Sequence, residues 1–139
     1  MGTNYYMKSA PCSHCGRSDE RVHIGKSSAG WCFSLHVIPE MNLNSLEDWK
    51  ARLANADVFV EDEYGRKVEV SKLLETITQR SCGETGAAPS GYSSWEQFCW
   101  ENHAEPGPNG LFRHRRDGTG SRDVQHGEGT WDLIPGEFS

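Results

Sequence analysis

Cys12-Ser13-His14-Cys15-Gly16, followed by His23, Cys32 and His36, constrains this chain more than any other feature. Two thiolates three positions apart face one ion when a tight turn bends the backbone around them, and the glycine behind the pair permits that turn. Soft sulfur and imidazole nitrogen are the donors zinc prefers. The spacing therefore predicts a zinc site built from Cys12, Cys15 and His23, with His36 or Cys32 as fourth ligand, and His14 pointing to solvent. Four protein ligands leave no open coordination position, so the expected ion is a structural staple. With only three, the fourth position could carry an activated water and support hydrolysis.

The segments carrying these residues alternate apolar and polar side chains. Val22-His23-Ile24-Gly25-Lys26 and Trp31-Cys32-Phe33-Ser34-Leu35-His36-Val37 read as two half-buried strands with a turn at Ser27–Gly30. A hairpin with a two- or four-residue loop sets His23 opposite Ser34. It then gathers His23, Cys32 and His36 on one face and leaves Val22, Ile24, Trp31, Phe33, Leu35 and Val37 on the other. A three-residue loop would mix the faces.

A lean composition fits a stapled fold. The chain has 139 residues, 35% of them hydrophobic, and five tryptophans; its mean hydropathy is -0.70. One α+β domain over 1–139 is expected, with the zinc knuckle and hairpin at 10–38, about three helices, a C-terminal strand, and irregular loops at about 82–93 and 104–129. No apolar run approaches the roughly 20 residues of a membrane span, and no basic-then-apolar leader is visible. An odd cysteine count with a Cys-x-x-Cys pair does not read as a disulfide framework, which suggests a reducing cytoplasm.

Thr3–Met7 reads as a strand. Ser45, or Asn44, caps a helix whose Leu46, Trp49 and Leu53 face the core. Val58–Glu61 and Lys67–Val70 form a hairpin turning at Tyr64-Gly65, and Ser71 caps a helix burying Leu73, Leu74 and Ile77. Ser93 with Glu96 makes a capping box for a helix from Ser94 to about His103, with Trp95, Phe98, Cys99 and Asn102 on one side. Thr130–Ile134 is the final strand, and Phe138 docks the end of the chain.

The net charge of -6 argues against a protein that coats nucleic-acid backbones. A local basic patch, with Arg113, Arg115 and Arg116 at its centre, could still grip phosphates. Gly25-Lys26-Ser27-Ser28 resembles the end of a phosphate-binding loop, but the glycine required five positions earlier is replaced by Glu20. Lys26, Ser27 and Ser28 remain as a turn that could contact a phosphate or an acidic partner. His126 with Glu128, plus Asp132 and Glu137, could act as general base or bind a hard metal if the fold brings them to the His23 region. Paired histidines of the two-histidine phosphoesterase type would need a Ser or Thr two positions after each, and Gly25 and Ile38 stand there.

Met1-Gly2-Thr3-Asn4-Tyr5-Tyr6, Cys12-x-x-Cys15-Gly16-Arg17, and His23-Ile24-Gly25-Lys26-Ser27-Ser28 with Gly30-Trp31 resemble a group of small uncharacterised bacteriophage proteins of the actinobacteriophage type. The resemblance is best over the first third, continues through Ser45–Trp49 and returns weakly at Gly136–Ser139. It implies a phage gene expressed in the host cytoplasm and carries no activity. The expected function is a zinc-binding, non-enzymatic module acting on a host macromolecule or nucleotide-like ligand. The alternative is a metal-dependent nuclease or phosphoesterase, in which His23, Lys26, His126 and Glu128 converge on a phosphodiester.

Overall fold

The computed structural model describes residues 2–9, 21–81, 91, 93–115 and 124–135. The expectations for Cys12, Cys15, His14, Arg116, Glu137 and Phe138, and most of the loop expected at 82–93, fall outside the described residues.

Strands β1 (Gly2–Ser9), β2 (Val22–Ser28), β3 (Phe33–Val37), β4 (Val58–Asp62), β5 (Lys67–Val68), β8 (Gln125–His126) and β9 (Trp131–Pro135) form one sheet in the order β5-β4-β1-β2-β3-β9-β8. Every neighbouring pair is antiparallel except β3 and β9, which run parallel from Phe33↔Trp131 to Val37↔Pro135. Helices α1 (Leu46–Leu53) and α2 (Val70–Thr78) supply Leu46, Trp49, Leu53, Leu73 and Ile77 to the main core, against Met7, Ile24, Phe33, Leu35 and Val60 of the sheet. These helices cover one face. The α+β class and the three α-helices among the described residues, α3 (Trp95–Glu101) being the third, match the sequence pattern.

The β2–β3 register differs from expectation. Lys26 pairs with Ser34 and Gly25 with Leu35, the parity that should have mixed the faces. A β-bulge in β2 corrects it. Tyr5 pairs with Gly25 but Tyr6 with His23, so Ile24 is the extra residue. One inserted residue reverses the in/out alternation beyond it. Ile24 and Gly25 both turn to the core, while His23 joins His36 on the opposite face. Gly25 is required here, because a Cβ would collide with the Ser34 carbonyl oxygen and the Phe33 ring.

Helix α1 begins as the capping pattern predicts, with Ser45 Oγ accepting from Asp48 N at 3.3 Å. The other two starts need correction. Glu69, not Ser71, precedes α2 and makes no side-chain cap bond; starting at Val70 lets that residue pack against the core. Ser94, not Ser93, caps α3, accepting from Gln97 N at 3.1 Å, while Gln97 Oε1 accepts from Ser93 N at 2.7 Å.

The region expected to be irregular, 104–129, also holds regular structure. β6 (Ala104–Pro106) and β7 (Phe112–His114) make an antiparallel ribbon, and β8 edges the main sheet. Phe98, Ala104 and Phe112 form a second cluster against Trp31 and Cys99. A parallel bridge between Trp31 and Phe112 ties this ribbon to the chain entering β3. Asp132 lies between the core-packed Trp131 and Leu133, so strand alternation directs it to the face opposite the helices, where Arg113 and His114 of β7 meet it.

Candidate metal centre and neighbouring polar sites

His23 and His36 meet on the face of the sheet opposite α1 and α2. Their Nδ1 atoms are 3.3 Å apart, and the rings are edge-on with centroids at 5.3 Å. His36 Nδ1 also lies 3.1 Å from the His23 carbonyl oxygen, which can only accept, so the His36 proton is on Nδ1. His23 Nε2 donates to Asn4 Oδ1 at 2.8 Å, leaving the His23 Nδ1 lone pair turned toward His36. The Tyr6 ring packs beside His23 at 5.4 Å, and Trp49 Nε1 donates to the His36 carbonyl at 2.8 Å, anchoring β3 from the helix side. Burial first, then the proximity of His36, Arg21 and Lys26, lowers the His23 pKa to about 4. His23 is therefore neutral at physiological pH, the form that can ligate a metal.

The separation is informative. With Zn–N bonds of 2.0–2.1 Å, two nitrogens on one tetrahedral ion stand about 3.3–3.4 Å apart. Cys12 and Cys15 lie in the sequence connecting β1 to β2, just ahead of His23. Among the described residues alone, no three His, Cys, Asp or Glu side chains gather as a metal site.

Cys32 is not brought to the histidine pair. It precedes β3, is 1% exposed, and its backbone N donates to the Phe112 carbonyl at 2.8 Å. Its pKa is pushed up to about 11 by burial and then by Asp132. A thiol held protonated is a poor ligand. Of the two candidates for fourth ligand, the fold favours His36, because Cys32 is drawn beneath the β6–β7 ribbon.

The Lys26, Ser27, Ser28 trio is strand rather than turn, and the pleat divides it. The Lys26 stem and Ser28 hydroxyl close over Gly2. Ser27 Oγ instead accepts from Arg80 Nη1 at 2.7 Å. Arg80 also donates from Nε to the Trp31 carbonyl at 2.9 Å and from Nη2 to the Ser28 carbonyl at 2.6 Å, pinning the end of α2 to the β2–β3 connection.

The arginine patch is divided too. Arg113 is 11% exposed and its Nε donates to Asp132 Oδ1 at 2.9 Å, so its charge is matched inside the protein. Asp132 is fully buried; its Oδ2 accepts from His114 N at 2.9 Å and from His114 Nδ1 at 3.1 Å. Arg115 lies over the exposed Trp100 ring at 5.2 Å. His126 Nε2 donates to the His114 carbonyl at 2.7 Å, and Glu128 is exposed. β2 and β8 are separated by β3 and β9, three strand spacings or roughly 14 Å, so His126 does not join His23. A polar surface cleft of about 320 Å³ lies elsewhere, along α1, lined by Asn42, Leu43, Asp48, Ala51, Arg52 and Asn55.

Asn4 and Arg80 carried no signal in the sequence, and Asp132, grouped there with His126 and Glu128, is instead the buried partner of Arg113 and His114. That burial had a visible signal: an acid in an otherwise apolar strand, with the arginine-rich segment upstream to neutralise it. No protein-family model, curated protein or solved structure matches this chain. No helix among the described residues is long and apolar enough to cross a membrane.

Proposed function

We propose that this chain is a small zinc-stapled α+β module that acts by binding rather than by catalysis. One zinc ion is held by Cys12, Cys15, His23 and His36, and the partner is a host macromolecule or nucleotide-like ligand. The phage resemblance supplies the setting, a host cytoplasm. The observation that carries the metal reading is the 3.3 Å separation of His23 Nδ1 and His36 Nδ1, the edge length of a zinc tetrahedron, with a Cys-x-x-Cys pair ending eight residues before His23 in sequence. Ligating through Nδ1, His36 would carry its proton on Nε2 and remain a neutral imidazole. Two thiolates and two neutral imidazoles complete the shell and neutralise the ion, which leaves no position for a substrate or an activated water.

The hydrolytic alternative has less support. It needs His23, Lys26, His126 and Glu128 around one phosphodiester, and β3 and β9 stand between the first pair and the second. The test is elemental mass spectrometry of the untagged chain, with melting curves before and after a strong chelator. The expected result is one zinc per chain, a large fall in Tm on chelation, and no phosphodiester hydrolysis with added Mg²⁺ or Mn²⁺. Absence of zinc refutes the staple. Hydrolysis abolished by His23→Ala would replace binding with catalysis.

A further inference from the structure

Resting on the zinc reading, we infer that Asn4 is the positioning residue of the centre: its side-chain oxygen holds the His23 imidazole with Nδ1 as the ligating atom. Asn4 is 8% exposed, and its Oδ1 stands 2.8 Å from His23 Nε2. An amide oxygen only accepts, so His23 carries its proton on Nε2, and the opposite nitrogen is the one facing His36 Nδ1. Metal-bound histidines are held in this way, the non-ligating N–H donating to a carbonyl or carboxylate that fixes both tautomer and ring orientation.

The β2 bulge makes the contact available. It sets His23 across from Tyr6 and diagonal to Asn4, whose own cross-strand partner is Lys26. Asn4 is itself fixed through its backbone N, which donates to Glu63 Oε1 at 2.9 Å. A neutral amide suits a shell of two thiolates and two imidazoles, because it orients His23 without adding negative charge beside it. A carboxylate of the same shape keeps the acceptor, so Asn4→Asp preserves the function that Asn4→Ala removes.

The experiment uses the full chain. Long-range ¹H–¹⁵N correlation spectra of the metal-free wild type report which His23 nitrogen is protonated, and competition with a chromogenic chelator reports zinc affinity for wild type, Asn4→Ala, Asn4→Ser and Asn4→Asp. The expected result is an Nε2–H tautomer in the wild type, with affinity lowered roughly 10–100-fold in Asn4→Ala and restored to within a few-fold in Asn4→Asp. Asn4→Ser, which keeps a small polar side chain, serves if Asn4→Ala does not fold. A wild-type His23 protonated on Nδ1 overturns the inference without needing any variant. Zinc affinity unchanged in a folded Asn4→Ala or Asn4→Ser overturns it while leaving the zinc reading intact. A wild type that binds no zinc overturns both.

Discussion

Replacing Asp132 with leucine removes the carboxylate bonded to Arg113 and the acceptor for two His114 donors, while roughly preserving volume. The Asp132 side chain is fully buried and that of Arg113 is 11% exposed, so the guanidinium left behind cannot recover its hydration without opening the ribbon. Breaking such a pair from one side costs about 3–5 kcal/mol. The lower end applies here, because Arg113 Nη2 keeps its bonds to the Trp131 carbonyl at 3.0 Å and the Gly129 carbonyl at 3.3 Å. An unfolding entropy of about 2.1 cal/mol/K per residue turns a loss of about 3 kcal/mol into a Tm lowered by about 10 °C for a chain of 139 residues. Asp132→Asn also destabilises, since its amide nitrogen must face either the Arg113 donor or the two His114 donors. Adding Arg113→Met to Asp132→Leu removes the stranded charge, and the double variant should recover to within about 1–2 kcal/mol of wild type, the remainder being the orphaned His114 N–H. Urea unfolding at pH 7, followed by tryptophan fluorescence, measures the wild type, Asp132→Leu, Asp132→Asn, Arg113→Met and the double variant. A loss below about 1 kcal/mol in Asp132→Leu, or a double variant whose effect is the sum of the two singles, refutes the account of a buried ion pair locking β7 to β9.

The remaining predictions concern the histidine face and the α2 anchor. In the metal-free protein the folded His23 pKa, about 4, lies below the ordinary histidine value of 6.5, so the unfolded chain binds the proton more readily. Stability is therefore full above about pH 6.5 and falls as pH drops from there through about 4. The fall amounts to roughly 1–2 kcal/mol after discounting for partial exposure; chelator-treated His23→Gln should show a flatter profile in the same urea titrations, and an unchanged slope between pH 4 and 6.5 would contradict the burial argument. Arg80→Lys should cost about 2 kcal/mol and speed amide exchange at Trp31, because one ammonium cannot span the Trp31 carbonyl, Ser27 hydroxyl and Ser28 carbonyl that the guanidinium reaches together. Native-state hydrogen exchange with wild-type protection at Trp31 would show that the anchor is dispensable.

Local signals were legible wherever neighbouring residues carry the whole cause. Ser45 caps a helix whose Leu46, Trp49 and Leu53 recur at helical spacing, and both cap and core face are as the pattern predicts. The start of α3 was ambiguous because Ser93/Glu96 and Ser94/Gln97 present the same spacing one residue apart, and side-chain bonding selects the second. Strands of two or three residues, such as β6, β7 and β8, are too short to show a period. They exist because remote backbone pairs with them, as Trp31 does with Phe112.

The candidate site divides along the same line. Cysteine spacing, the alternation of β3 and the pairing of His23 with His36 on one face could be reasoned from the chain alone, because ligand chemistry and the period of a strand are local properties. Which register β2 adopts, and the bulge at Ile24 that rescues the face assignment from it, belong to tertiary structure. So do the withdrawal of Cys32 beneath the ribbon, the insertion of β9 parallel to β3, and the meeting of Asp132 with Arg113 and His114. A period-two pattern states that one face is buried but names no partner strand. That choice is made by the fit of Gly25 against Phe33, of Asp132 against its donors, and of two helices over a single face, none of which is encoded by neighbours in sequence.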